Sequence, residues 1–141
     1  MPEDIRQTNA TNLARLAPGM SREEVVAIMG TGAYTVREGV YYEQGLIGYI
    51  DFPVTNPYRS DTFVTDEATF EVLYYYALIG GTHVGPWDTN YAERAVPVWL
   101  LSPVVLRDGR LVGLGFETMI TTGLMEPPSV PVNDPSILVG R

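Results

Sequence analysis

Three consecutive tyrosines, Tyr74, Tyr75 and Tyr76, lie in the clearest predicted strand, over residues 69–79. Successive side chains of a strand point to opposite faces of a sheet. The first face carries Phe70, Val72, Tyr74 and Tyr76, and the second carries Glu71, Leu73, Tyr75 and Ala77. Because both faces are largely apolar, a sheet built on this strand needs cover on two sides. No other feature of the sequence restricts the fold as much.

A second strand pair is predicted over residues 98–116. Asp108-Gly109 has the residue types that a two-residue type I′ turn requires. This turn places Arg107 opposite Arg110, Leu106 opposite Leu111, Val105 opposite Val112 and Val104 opposite Gly113. Pro103 lacks an N–H and therefore indicates an edge position or a bulge. Val105, Val112, Leu114 and Phe116 are expected on one face, and Val104, Leu106 and Leu111 on the other.

Two short helices are predicted before the strands. Residues 5–16 show a modest helical pattern that ends at Pro18-Gly19. Ser21 and Glu24 have the spacing of a capping box, so a second helix is expected over residues 22–29, ending at Gly30. A helix of eight residues is too short to be stable alone in water, so it must pack on the sheet.

The remaining segments are predicted to be irregular. Residues 36–51 hold one or two strands, residues 52–67 form a loop or an edge-strand connection, and residues 80–96 form a long loop. Four of the eleven prolines lie in the last fifteen residues, which predicts an extended tail. We therefore expect one α+β domain over residues 1–120 and a Pro-rich tail over 121–141. In this domain, two short N-terminal helices are expected to pack on a small antiparallel sheet of about three strands, with long insertions.

Composition excludes several classes of protein. The chain of 141 residues has a net charge of −8 and nine scattered arginines, with no lysine, which counts against nucleic-acid binding. It has no cysteine, so disulfides and thiolate chemistry are excluded. No stretch reaches 18 apolar residues, so no membrane-spanning helix is expected.

One segment resembles a known family. Residues 12–25, Asn-Leu-Ala-Arg-Leu-Ala-Pro-Gly-Met-Ser-Arg-Glu-Glu-Val, followed by Ile28-Met29-Gly30, resemble the opening of BamE-like (SmpA/OmlA) bacterial envelope lipoproteins. Residues 71–76 and 103–115 are similar to the strands of a related lipoprotein branch. The resemblance implies two helices on a three-stranded antiparallel sheet. It also implies a non-enzymatic protein in the periplasm or on the periplasmic face of the outer membrane, although a cytoplasmic location stays open.

Catalytic chemistry has few candidates. His83 is the only histidine, and Asp88 and Glu93 are the carboxylates that could make it a general base in a small hydrolase. No Gly-x-Ser-x-Gly motif presents a nucleophile. One histidine without cysteine cannot build a histidine-rich zinc site. We therefore assign no catalytic, cofactor-binding or metal-binding residue and expect no enzyme.

The surplus of apolar strand surface leads to the functional prediction. Either residues 80–100 or the tail cover the second face of the sheet, or a partner protein or a second copy does. Tyrosine and tryptophan commonly anchor interfaces. The predicted partner-binding residues are Leu73, Tyr75, Trp87, Tyr91 and Trp99. The leading hypothesis is a non-catalytic protein-interaction or assembly module. The alternatives are an enzyme inhibitor that inserts a loop such as residues 82–88, and the His83 hydrolase.

Overall fold

The computed structural model describes residues 4–43, 45–77 and 101–126. Within these ranges the chain forms three helices and six strands in an α+β arrangement. In chain order they are α1 (Ile5–Leu13), α2 (Arg22–Met29), β1 (Gly32–Tyr42), β2 (Gly45–Asn56), β3 (Arg59–Val64), β4 (Thr69–Tyr75), β5 (Ser102–Arg107), β6 (Arg110–Leu114) and α3 (Gly115–Thr121). No helix in the described ranges is long and apolar enough to cross a membrane.

The two N-terminal helices begin at side-chain caps. The Ser21 hydroxyl accepts from the Glu24 N–H at 3.1 Å, and a Glu24 carboxylate oxygen accepts from the Ser21 N–H at 2.8 Å. The predicted capping box and the bounds of α2 are therefore confirmed. Helix α1 begins at Asp4, whose carboxylate accepts from the Arg6 N–H at 2.9 Å. It ends at Leu13, three residues earlier than the sequence pattern predicts.

Strands β3, β4, β5 and β6 form one antiparallel sheet in that order. Its centre confirms the predicted arrangement of β4, because Phe70, Val72 and Tyr74 belong to one buried cluster and Leu73 and Tyr75 to another. The β5–β6 turn is also confirmed. Asp108 (φ 49°) and Gly109 (φ 81°) both have the positive φ of a type I′ turn, and Arg107 faces Arg110.

The predicted register beyond the first two pairs of this hairpin is wrong by one residue. Leu106 faces Leu111 as expected, but Val105 faces Gly113 and Val104 faces Leu114. Val112 is therefore the extra residue of a β-bulge, and it is partly exposed rather than paired. The bulge keeps Leu111 under the helices while it turns the end of β6 toward α3.

The expected sheet of about three strands is also incorrect. Among the described residues the main sheet has four strands, and β1 and β2 pair with each other in a separate two-stranded sheet, which we call the ribbon. Residues 52–67, predicted to form a loop or an edge-strand connection, contain the end of β2 and all of β3, which lies at one edge of the described four-stranded sheet. Pro53 lies within β2, opposite Thr35, and does not end the strand. The Asn56–Pro57 bond, which is cis, separates β2 from β3.

Helix α3 was not expected, since the helices were predicted to be N-terminal only. It has no side-chain cap at Leu114 and is only seven residues long, so the local sequence does not predict it. Met119 is buried, and Phe116 and Leu124 pack around the same cluster. The first residues of the predicted tail thus end a packed helix, whereas residues 127–141 lie outside the described residues.

Two apolar clusters lie on opposite faces of the main sheet. The helix-side cluster joins Val25 and Met29 of α2 to Leu73, Tyr75, Val104, Leu106 and Leu111. The ribbon-side cluster joins Val36 and Val54 of the ribbon, Ile5 and Met119 to Phe70, Val72, Tyr74 and Val105. The second face of the sheet is therefore covered by the base of the ribbon and by α3. Leu124, in the segment predicted to be the tail, packs against the same cluster, and residues 78–100 lie outside the described residues.

Helix α3 approaches β6 so closely that Gly113 has no room for a side chain. A Cβ built on Gly113 would overlap the Thr118 side chain, whose hydroxyl donates to the Leu114 carbonyl at 2.9 Å. We expect Gly113→Ala to lower the free energy of unfolding by about 1–2 kcal/mol, measured by urea titration, because the overlap pushes α3 from the sheet. The double variant Gly113→Ala/Thr118→Ala should recover most of this loss. Equal stability of Gly113→Ala and the wild type would contradict the close approach.

Candidate interaction surface

Two of the predicted partner-binding residues are not on the surface. Leu73 and Tyr75 each have 0% exposed surface and lie in the helix-side cluster under α2. The expectation that this face of β4 is open to a partner is therefore corrected. Its premise, that two short helices leave one face bare, fails because the ribbon and α3 cover the other face.

The remaining predicted positions cannot be placed in the same way. Trp87, Tyr91 and Trp99 lie outside the described residues, as do His83, Asp88 and Glu93. The described ranges contain no group of three or more histidine, aspartate or glutamate side chains that could hold a metal ion. Asp66 and Glu67 are exposed in the β3–β4 turn. They share an open cleft with Arg107, whose guanidinium lies 5.7 Å from the centre of the Phe70 ring.

The ribbon carries the largest local concentration of exposed apolar side chains among the described residues. Leu46 is 45% exposed, Ile47 is 57% exposed and Tyr49 is 60% exposed. We call these three residues the tip patch. Val64, Val112, Leu114 and Met125 are also exposed, but they are distributed over other elements. A cluster of large apolar residues is more informative than single exposed ones, because scattered apolar surface is ordinary.

A β-bulge lies within the tip patch. Val40 faces Gly48 and Tyr41 faces Leu46, so Ile47 has no cross-strand partner. Bulges bend a strand and redirect the side chain of the extra residue. Ile47 is therefore presented away from the regular alternation of the ribbon.

Charged side chains support Tyr49 on the ribbon surface. Arg37 faces Asp51 across the strands and donates to its carboxylate at 2.9 Å and 3.2 Å. The same guanidinium lies 5.6 Å from the centre of the Tyr49 ring. Hydrogen bonding to Asp51 raises the pKa of Arg37 above its usual value, which favours the charged form of the guanidinium.

The base of the ribbon is fixed by a buried pair of amides. Asn9 of α1 and Asn56 of β2 donate to each other's side-chain oxygens, both at 2.9 Å. The remaining donors are also used, since Asn9 donates to the Tyr76 carbonyl at 2.8 Å and Asn56 donates to the Met29 carbonyl at 3.0 Å. Asn9-Ala10-Thr11 fits the glycosylation pattern, but the Asn9 side chain is fully buried in this pair. Sequence reasoning missed the pair because it joins residues 47 positions apart.

The ribbon also lacked a clear signal in the sequence. Gly39, Gly45 and Gly48 obscure the alternation of residues 36–51, so their register could not be read from the pattern. The available signal was the apolar pair Leu46-Ile47 followed by Tyr49, beside the turn-forming Gly45.

Comparison with known proteins adds no relative: no protein-family model, curated protein or solved structure matches the chain. The resemblance of residues 12–30 to BamE-like lipoproteins therefore stays a prediction from the motif.

Proposed function

We propose that this protein is a non-catalytic interaction module of the bacterial cell envelope and that it binds a partner protein through the tip patch of the ribbon. The observation that carries the proposal is the exposure of Leu46, Ile47 and Tyr49 on an element that pairs with no other strand in the described chain. The envelope location depends on the motif resemblance of residues 12–30 alone.

The tip patch has a composition that favours binding. Full burial of one large apolar side chain contributes about 1.5–3 kcal/mol. Tyrosine and arginine are common among the residues that contribute most to interfaces. Arg37, whose guanidinium lies 5.6 Å from the centre of the Tyr49 ring, is next to the patch.

The charge of the chain indicates which partner surface fits. A net charge of −8 steers the protein toward positive surfaces and away from negative ones. Glu43, directly after β1 at the ribbon tip, is exposed. The expected partner is therefore a folded protein with an apolar pocket, rimmed by lysine or arginine, that accepts Ile47 and Tyr49.

The proposal is tested in two stages. A photo-crosslinking residue at position 47 identifies the partner in an envelope fraction, and the purified partner is then titrated against the protein by calorimetry. We expect the double variant Ile47→Ser/Tyr49→Ser to weaken binding at least about 30-fold, the equivalent of about 2 kcal/mol. Val112→Ser removes a partly exposed apolar residue outside the patch and should change the Kd less than about twofold.

Two results would overturn this function. One is a purified partner that binds the double variant as tightly as the wild type. The other is the absence of any reproducible partner in the crosslinking experiment, provided that the protein with the photo-crosslinking residue at position 47 is folded. Far-ultraviolet circular dichroism identical to that of the wild type shows that it is folded.

A further inference from the structure

The two edges of the main sheet differ. At β6 the loop before α2 closes the edge, because Gly19 donates to the Leu111 carbonyl at 2.8 Å and Leu111 donates to the Met20 carbonyl at 2.8 Å. Ser21 forms a bridge with Arg110 on the same side. Strand β3 forms the other edge and pairs only with β4 in the described chain.

The hydrogen bond at the β3–β4 turn determines which groups of β3 face outward. The backbone N–H of Thr65 donates to the Ala68 carbonyl at 2.9 Å, so Thr65 and Ala68 form a bonded pair. In an antiparallel ladder, bonded and non-bonded pairs alternate along the strand. Arg59, Asp61 and Phe63 are therefore bonded to β4. The N–H and C=O groups of Ser60, Thr62 and Val64 consequently point away from the sheet.

We propose that this edge pairs with β3 of a second copy of the chain, antiparallel and about a two-fold axis at Thr62. Thr62 then faces Thr62 of the second copy, and Ser60 faces Val64 in both directions. Each of these three facing pairs can exchange two backbone bonds, about six in all. Val64, which is 78% exposed, becomes partly covered by the second copy.

Hydrogen bonding and charge select this register over its neighbours. An axis at Phe63 would set Ser60 against Asp66 in the β3–β4 turn, so only the two Thr62–Val64 pairs could exchange bonds, about four in all. An axis at Asp61 would place two aspartates directly opposite each other, which is unfavourable. An axis at Ser60 would set Thr62 against Tyr58, whose N–H is already donated to the Tyr74 carbonyl at 2.7 Å. In the register centred on Thr62, Asp61 faces an apolar phenylalanine and keeps its own ion pair with Arg59, at 3.2 Å.

The resulting dimer is a continuous eight-stranded sheet with identical contacts from both copies. A single strand edge buries less area than the roughly 1,200–2,000 Å² of a typical stable interface, and two copies of net charge −8 repel each other. The association is therefore expected to be weak, concentration-dependent and weakest at low ionic strength. It uses an edge separate from the tip patch and does not depend on the proposed partner.

Single cysteines test the register directly, because the natural sequence contains none. Facing residues of a bonded antiparallel pair have Cα atoms about 5.5 Å apart, within the range for a disulfide. Thr62→Cys should give an intermolecular disulfide under mild oxidation, seen on non-reducing gels. Ser60→Cys and Val64→Cys should each stay monomeric, whereas their equimolar mixture should form the mixed dimer. Val112→Cys, exposed on β6, is the matched control and should not crosslink.

A second measurement avoids oxidation. Thr62→Pro removes an outward N–H but no bond to β4, and it should weaken self-association in sedimentation equilibrium at least about tenfold relative to Thr62→Ala. The proposal is overturned if Thr62→Cys forms no more dimer than Val112→Cys, if Ser60→Cys alone crosslinks best, or if Thr62→Pro associates like Thr62→Ala.

Discussion

Replacement of Asn9 by alanine is expected to lower the free energy of unfolding by about 3–5 kcal/mol. The variant loses both bonds of the reciprocal amide pair and the bond to the Tyr76 carbonyl. One donor and one acceptor of Asn56 stay buried without their partner, and each such group costs about 1–3 kcal/mol. Asn56 is only 5% exposed, so water cannot readily replace the lost amide. Urea denaturation followed by circular dichroism measures the effect.

Asn12→Ala is the matched control for this prediction. Asn12 lies on the same helix, and its side chain accepts one exposed bond from Arg15 at 3.2 Å. Its removal should cost less than about 0.5 kcal/mol, as is usual for an exposed contact. The Asn9→Ala/Asn56→Ala double variant should be less destabilised than the sum of the single variants. Additive single effects, or a loss at Asn9 no larger than at Asn12, would mean that the pair does not join helix and ribbon.

The second large effect is a loss of stability at alkaline pH that depends on Tyr75. Burial raises the pKa of the Tyr75 phenol to about 12, from an ordinary value of 10.0. Between these values the unfolded chain has released the proton while the folded chain retains it. Stability is therefore unaffected by this group below pH 10 and falls as the pH rises toward 12. The total loss is about 2–3 kcal/mol, because each pH unit contributes about 1.4 kcal/mol.

Tyr75→Phe should remove this part of the pH dependence. The Tyr75 hydroxyl is buried and has no hydrogen-bond partner in the described structure, so its loss should also raise stability at pH 7 by about 1 kcal/mol. Burial raises the pKa of Tyr74 as well, so a smaller alkaline decline should persist. Tyr49→Phe, at an exposed position of the ribbon, controls for removal of a phenol. A Tyr75→Phe variant less stable than the wild type at pH 7 would show that the hydroxyl has a partner.

The parts of the fold that the sequence predicted are those set by local chemistry. The capping box at Ser21, the alternation of β4 and the Asp108-Gly109 turn each depend on residues within a few positions of one another. The missed parts depend on distant contacts. Helix α3 has no cap and is stabilised by the packing of Met119 on the sheet. The bulge at Val112 accompanies the close approach of Gly113 to Thr118.

The exposed apolar residues were predicted less well than the strands, for one physical reason. Apolar residues of β4 were counted as surplus because the cover on the ribbon side was unknown. That cover comes from Val36 and Val54, whose strands the sequence pattern did not resolve. Leu73 and Tyr75 were therefore predicted to be exposed, although both are buried. The exposed residues Ile47 and Tyr49 belong to the same ribbon, whose Val36 and Val54 cover the sheet.

The reciprocal amide pair has a consequence for how the molecule loses its structure. A ribbon of two strands has little stability of its own. Its last residue, Asn56, is hydrogen-bonded to Asn9 of α1 and to the Met29 carbonyl at the end of α2. When the base of the ribbon separates from the helices, the hydrogen bonds of Asn56 to α1 and to α2 are lost together. Amide protons at the ribbon base and in both helices should thus exchange with deuterium together, as one cooperative unit, while those near Leu46 and Ile47 exchange earlier.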